Sequence, residues 1–237
     1  MNVFIVHAHP EPQSFNAALT NRARQTLESA GHFVRVSDLY AMRFDPVSDR
    51  RNFTTVKDAD YFKQQVEEKH AAKVGGFAPD IAVEMEKLNW CDALILQFPL
   101  WWFSMPAILK GWVDRVFALG YAYGGRRWYD DGVFAGKRAM VSVTLAGDEI
   151  IYGKTGLNGD IHDILFTINH GILRFTGFDV LPPFIAWAVA RVDDGARRGY
   201  LDAYEQRLLT LAETDPIEFR SLDEYDESFR LKDPSTA

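Results

Sequence analysis

The segment Gln97–Phe117, QFPLWWFSMPAILKGWVDRVF, crowds Trp101, Trp102 and Phe103 into the point where an apolar run breaks. A connecting loop normally carries polar side chains, because its backbone faces water. With Pro99 and Leu100 beside them, these rings can wall a slot for a planar conjugated ring, whose polar edge the turn's backbone N–H groups would reach. Ordinary core packing is the competing reading. It suits Trp112 and Phe117, on the helical pattern that follows, better than Trp102 and Phe103 on the turn itself.

A second group lies in HAHPEPQSFN, residues 7–16, which contains neither GxGxxG nor GxxxxGK and so offers no dinucleotide or Walker-type fingerprint. Ser14 and Asn16 stand at the entry to a helical pattern, where free N–H groups and the helix dipole favour an anion such as a phosphate. Ser14 as a plain helix cap accounts for the same residues. His7 and His9 share one face of a strand and could begin a metal site. His32, His70, His162 and His170 stand singly, with no HExxH or CxxC to complete it, so hydrogen-bonded or solvated imidazoles are the simpler reading. No GxSxG occurs, which removes the usual serine-hydrolase elbow. A phosphate site and a flat-ring site on one sheet edge together describe a flavin nucleotide.

The elements that must position these residues alternate. Val3–Val6, Phe33–Val36, Ala93–Phe98 and Arg138–Leu145 are short apolar runs of the buried parallel-sheet kind, and a further strand is expected near Phe178–Leu181. Helical spacing predicts helices over Asn16–Ala30, behind Pro106 through Ile108, Trp112 and Val116, over Ile161–Phe175, and over roughly Gly195–Leu211. The pattern predicts an α/β fold with a doubly wound parallel sheet, whose ligand sits outside the strands' carboxyl ends. The connection Asp45–Asp80 is too long for a plain loop and predicts a peripheral helix over Asp58–Lys73. One domain over residues 1–214 is expected, with 215–237 as a C-terminal arm whose Phe219, Tyr225 and Phe229 pack on the surface of a partner subunit.

Composition narrows the partners. With 33 acidic and 26 basic residues the chain carries −7, which gives nucleic-acid binding little electrostatic support. Cys91 has no internal partner and lies in an apolar stretch, as a buried thiol of a reducing compartment would. No uncharged apolar run reaches membrane-spanning length, and the N-terminus lacks the pattern of a secretory signal, so a cytoplasmic protein without membrane insertion is expected.

HAHPEPQSFN, SDLYAMRFDP, FPLWWFSMPAILKGWVDRVF and YDDGVFAGKRA resemble the NAD(P)H:quinone oxidoreductase (DT-diaphorase) family, flavodoxin-like flavoproteins that also include bacterial drug-activity modulators and ancillary subunits of potassium efflux systems. The similarity runs from residue 2 to about residue 230. It implies pyrophosphate and ribose contacts at His9, Ser14, Phe15 and Asn16, and an isoalloxazine wall of Pro99, Leu100, Trp102 and Phe103. Thr144 and Gly147 match further polar contacts, and Arg197 with Leu201 matches the adenine end, which implies FAD rather than FMN. Tyr152 matches a tyrosine facing the flavin's pyrimidine edge. Tyr123 and Phe175 match the substrate side, and the aromatic at Phe229 would come from the partner of a homodimer with shared sites.

The implied chemistry is a two-step, two-electron transfer: NAD(P)H reduces the flavin by hydride and departs, and a quinone or related electrophile then takes its place. Tyr152, N–H groups near Gly147, and Asn158 orienting the tyrosine are expected to steady the negative charge that develops. Five positions depart from the family pattern. Asn158 replaces a histidine and cannot take up a proton near neutral pH. Gly125 replaces a second tyrosine, Leu145 and Ala146 replace Thr-Gly, and Lys63 replaces a glutamine at the cofactor's far end. Arg126 and Arg127 read as a solvated loop. A flavin-binding ancillary subunit of a transport system, with little turnover, is the alternative function.

Overall fold

The computed structural model describes residues 1–233. Five parallel strands, β1 (Asn2–His7), β2 (Phe33–Asp38), β3 (Ala93–Pro99), β4 (Arg138–Thr144) and β5 (Asp179–Ala186), form one sheet in the order β2-β1-β3-β4-β5. Helices α1 (Phe15–Ser29), α2 (Gln64–Val74), α3 (Pro79–Trp90), α4 (Ala107–Val116), α5 (Ile161–Ile168) and α6 (Asp194–Leu209) cover both faces. Alternation along β1 sends Phe4 and Val6 into one core with Leu94, Leu96, Phe98 and Trp112. Val3 and Ile5 go into the other with Leu19, Leu27, Ile95 and Tyr204. Strand order reverses between β1 and β3, so the switch-point crevice opens at their carboxyl ends. No described helix is long and apolar enough to cross a membrane.

Four elements differ from expectation. The peripheral helix α2 begins at Gln64 rather than Asp58, because the preceding chain wraps a buried carboxylate. Glu67 accepts the backbone N–H groups of Lys57 and Asp58, and Asp58 accepts those of Asp60 and Tyr61. Helix α3 follows it, with Pro79 opening its first turn and Ile81, Met85 and Leu88 buried. Helix α5 stops at Ile168 and continues as a π-helical turn over Asn169–Arg174, which Phe175 extends by donating to the His170 carbonyl five residues back. Strand β5 runs through Pro182 and Pro183 instead of ending at Leu181. It is an edge strand, and the ladder shifts register between Met140 and Ser142 to absorb the prolines.

The described part of the arm, 215–233, lies back on its own chain. Ile217 donates to the Val180 carbonyl, the Leu222 N–H donates to Asp130, and Asp130 also pairs with Arg174. The insertion is pinned by buried Arg115, which donates to Asn52 Oδ1, the Asp45 carbonyl and Asp80. Buried Glu84 accepts from Trp112 Nε1, Ser37 and Lys87 and joins α3 to α4 and β2.

Candidate active site

At the carboxyl end of β3 the chain reverses in four residues. Trp101 and Ser104 exchange both backbone hydrogen bonds at 3.0 Å, leaving Trp102 and Phe103 as the two central residues, with φ of 50° and 58°. Two left-handed residues make the tight hairpin turn for which Asn-Gly is preferred. A side chain with a Cβ costs roughly 1–2 kcal/mol in that conformation. Trp102 is nevertheless 95% exposed and Phe103 49%, so no core contact offsets the strain. Strain of this kind collects at ligand clamps. The turn is braced from both sides: Leu100 donates to the Thr144 carbonyl at 2.9 Å, and the His9 ring lies 6.2 Å from that of Trp101. His9 Nδ1 in turn accepts the Glu11 N–H at 3.0 Å.

Beyond β4, residues 145–160 fold over the same end of the sheet. Tyr152 stands between Phe103, at 6.3 Å between ring centroids, and Trp187, at 6.2 Å. Gly147 makes that placement possible: a Cβ there would lie 2.8 Å from Tyr152 Cε2 and would strike Ile151 as well. The expected tie from Asn158 to Tyr152 is not formed among the described residues. Asn158 instead closes the loop through its backbone, donating to the Ile151 carbonyl at 2.9 Å. Rings, not an amide, orient the tyrosine.

Ser14 caps α1, its Oγ accepting from Ala17 N at 3.1 Å, which leaves the Phe15 and Asn16 N–H groups without a partner among the described residues. No acidic side chain occupies the first turn, so the helix dipole stays open to an anion. A cleft of about 410 Å³ runs from Gln13, Ser14 and Phe15 to Val189, Ala190 and Arg197. Arg197 is held there by the Val189 carbonyl and Asp194. Phe15 meets Tyr200 edge-on at 6.4 Å, and Leu201 packs against the second core behind them. The Asn16 side chain turns inward, donating to Thr144 Oγ1 at 2.8 Å and accepting from Gln97 Nε2 at 2.9 Å. This buried chain locks the start of α1 to the ends of β3 and β4, and Gln97 Oε1 is left without a partner among the described residues. Lys63 lies in the insertion, its ammonium over the Tyr61 ring.

His7 and His9 diverge. His7 is buried, its Nδ1 2.8 Å from Thr20 Oγ1, and burial holds its pKa below the usual imidazole value against the opposing pull of Asp38. Among the described residues no three His, Cys, Asp or Glu side chains converge on a metal position.

Tyr123, Phe175 and Phe229 share one aromatic pocket of about 580 Å³. Phe175 is its hub, 5.7 Å from Tyr123, 6.5 Å and near-parallel to Trp128, and 5.4 Å and edge-on to Tyr129. Tyr123 Oη accepts from Gln65 at 3.3 Å, and burial raises its pKa. Phe229 lines this pocket together with Tyr123 and Phe175 of its own chain, because the arm folds back over residues 119–130 and 170–175. These segments lead into β4 and β5, so the pocket lies at the opposite end of the sheet from the aromatic turn. Among the described residues, no hydrogen bond or ring contact joins the two.

Sequence reasoning missed Trp187, Gln97, Trp128 and Tyr129. A tryptophan directly after a strand and a glutamine inside ALILQF were the available signals for the first two.

The profile of the family with the flavodoxin-like fold matches residues 1–208. Human ribosyldihydronicotinamide dehydrogenase [quinone] is 44% identical over 216 residues, 91% of this chain and 94% of that protein. Rat NAD(P)H dehydrogenase [quinone] 1 is 41% identical over 227 residues, 95% of this chain and 83% of that protein. A solved Klebsiella pneumoniae structure described as a quinone reductase superposes with a TM-score of 0.95 at 44% identity, covering 98% of this chain and 94% of that one.

Proposed function

The chain belongs to the flavodoxin-like family of quinone-reducing NAD(P)H dehydrogenases, and from that membership we propose that it is an FAD-dependent homodimer working by alternate binding of donor and acceptor. It is an oxidoreductase that reduces quinones with NAD(P)H. The observation that carries the cofactor reading is the strained, exposed Trp102–Phe103 turn beside the open N-terminus of α1 at the switch point.

The residues present fit a flavin. Phe15 and Asn16 N–H groups and Ser14 would hold the pyrophosphate, and His9 would face it from the β1 loop. Pro99, Leu100, Trp102 and Phe103 would wall the ring, and Gly147 would let the β4 loop approach it closely. Thr144 acts from behind, through Asn16. The cleft onward to Arg197 has room for an adenosine half, which favours FAD over FMN, and Leu201 backs it. When bound, the flavin supplies the two-electron relay between nicotinamide and quinone. Tyr152 presents its hydroxyl at the carboxyl end of β4 as the hydrogen-bond donor where negative charge gathers. The aromatic walls place donor and acceptor in turn and exclude water.

Tyr123, Phe175 and Phe229 form the other wall. Since they lie at the far end of their own sheet, a second copy must bring them to the ring, and Phe229 arrives together with Tyr123 and Phe175. The relatives named for ribosyldihydronicotinamide make that smaller donor the second reading. The test is the visible spectrum of purified protein with identification of what heat releases, followed by oxidation of each donor with a quinone. Colourless protein that takes up neither FAD nor FMN would sink the proposal, and flavin binding without turnover would favour the ancillary-subunit role.

A further inference from the structure

The pocket around Phe175 opens beside a second tight turn. Arg127 N–H donates to the Gly124 carbonyl, and the central residues Gly125 and Arg126 have φ of 65° and 66°. Gly124 and Gly125 line the pocket, and a Cβ on Gly125 would meet nothing within 4 Å, so the wall is open at this point. Arg126 is exposed, strained by its left-handed backbone, and has no partner among the described residues. Arg127 donates from Nε and Nη2 to the Gly124 and Gly120 carbonyls. Carbonyls satisfy its N–H groups without neutralising its charge.

Several other charges around the pocket are engaged. Arg220, in the pocket lining, pairs with Glu224 at 3.0 Å; Asp130 pairs with Arg174; Asp226 is turned to the Ser228 and Arg230 N–H groups, and Asp223 to Ser221 Oγ. In a chain of net charge −7, two adjacent guanidinium groups without carboxylate partners among the described residues follow directly on Gly124 and Gly125, which line the aromatic cavity. We propose that the Arg126–Arg127 turn makes this site selective for aromatic substrates bearing an anionic group, a carboxylate, sulfonate or phosphate, with the rings inside against Phe175 and the charge at the mouth; this rests on the quinone-reductase reading above. The group belongs either to the acceptor or to the phosphates of the donor.

The test uses flavin-loaded wild type, Arg126→Gln and Arg126→Lys, leaving Arg127 to hold the turn. A naphthoquinone sulfonate is compared with the unsubstituted naphthoquinone, and NADPH with NADH. Arg126→Gln should lower kcat/KM for the anionic member of a pair by about threefold to tenfold at low salt, with its neutral or less charged counterpart within about twofold. Arg126→Lys should restore most of the loss, and salt of about 0.3 M should erase the wild-type preference. A loss confined to the sulfonate assigns the anion to the acceptor, and one confined to NADPH assigns it to the donor. Equal losses within both pairs, or none, overturn the proposal. If wild type reduces neither naphthoquinone, the quinone-reductase reading has failed instead. Quenching of tryptophan fluorescence by the two quinones then decides selectivity, and equal binding of the sulfonate to wild type and Arg126→Gln overturns it.

Discussion

Tyr152 takes its orientation from Phe103 and Trp187, so removing its hydroxyl should leave the ring in place. In Tyr152→Phe, rapid mixing should show flavin reduction by the nicotinamide slowed about tenfold or more with flavin still bound. An unchanged rate would remove the residue from the chemistry. Cys91 poses the opposite case, a nucleophile made inert: burial pushes its thiol up to about 11, outweighing the Lys137 charge beside it. A thiol reagent at pH 8 should therefore react only as fast as the protein opens, and stoichiometric labelling of native protein would contradict the burial. His7 and His170 are both held below the ordinary 6.5 by burial, with Arg174 adding to the effect at His170. Unfolding raises each pKa, so the unfolded chain binds protons first. The stability contribution is complete above about 6.5 and is lost as pH falls. The thermal midpoint should drop between pH 7 and pH 5, and His170→Gln should flatten that dependence.

The hairpin at Trp102 and Phe103 sets stability against binding within one element. Replacing the pair with Asn-Gly supplies residues at home in the left-handed region, so Trp102→Asn with Phe103→Gly should stabilise the apoprotein by roughly 1–2 kcal/mol. It should also weaken flavin binding by an order of magnitude or more; calorimetry and flavin titration read the two effects separately. This turn was legible in the sequence because aromatic side chains are conspicuous in a loop, as the parallel strands were because both their faces are buried. Helix α3 carried the same kind of signal in Ile81, Met85 and Leu88, in the stretch between the Asp45–Asp80 connection and Ala93 for which no element was expected. The π-helical turn after Ile168 has no periodicity of its own, since hydrogen-bond register and not composition distinguishes it from an α-helix.

At the level of the whole molecule, each chain carries the aromatic turn with Tyr152 and the Phe175 pocket at opposite ends of one sheet, which in the proposed dimer would be two half-sites. A dimer of Tyr152→Phe chains has two damaged sites, as does a dimer of Phe229→Ala chains. Mixing them should produce heterodimers with one intact and one doubly damaged site, and turnover above the mean of the parents would reveal it. No gain on mixing would place both half-sites in one subunit's service. The resemblance suggested the members of each half-site, but which chain supplies Phe229 depends on how the arm folds, a long-range matter that local residue types do not encode. The prolines of β5 carry a different consequence. An open parallel sheet of five strands has two outer rims, and unpaired backbone groups on such a rim recruit strands from other chains into fibrils; on the β5 rim Ile217 covers the Val180 carbonyl and Arg207 the Pro182 carbonyl. Pro182 and Pro183 lack the N–H that a recruited strand would need and kink the rim where it would dock. Replacing both with threonine should leave the enzyme folded while shortening the time to turbidity on heating, so this dipeptide acts as a guard on solubility at the enzyme's exposed flank.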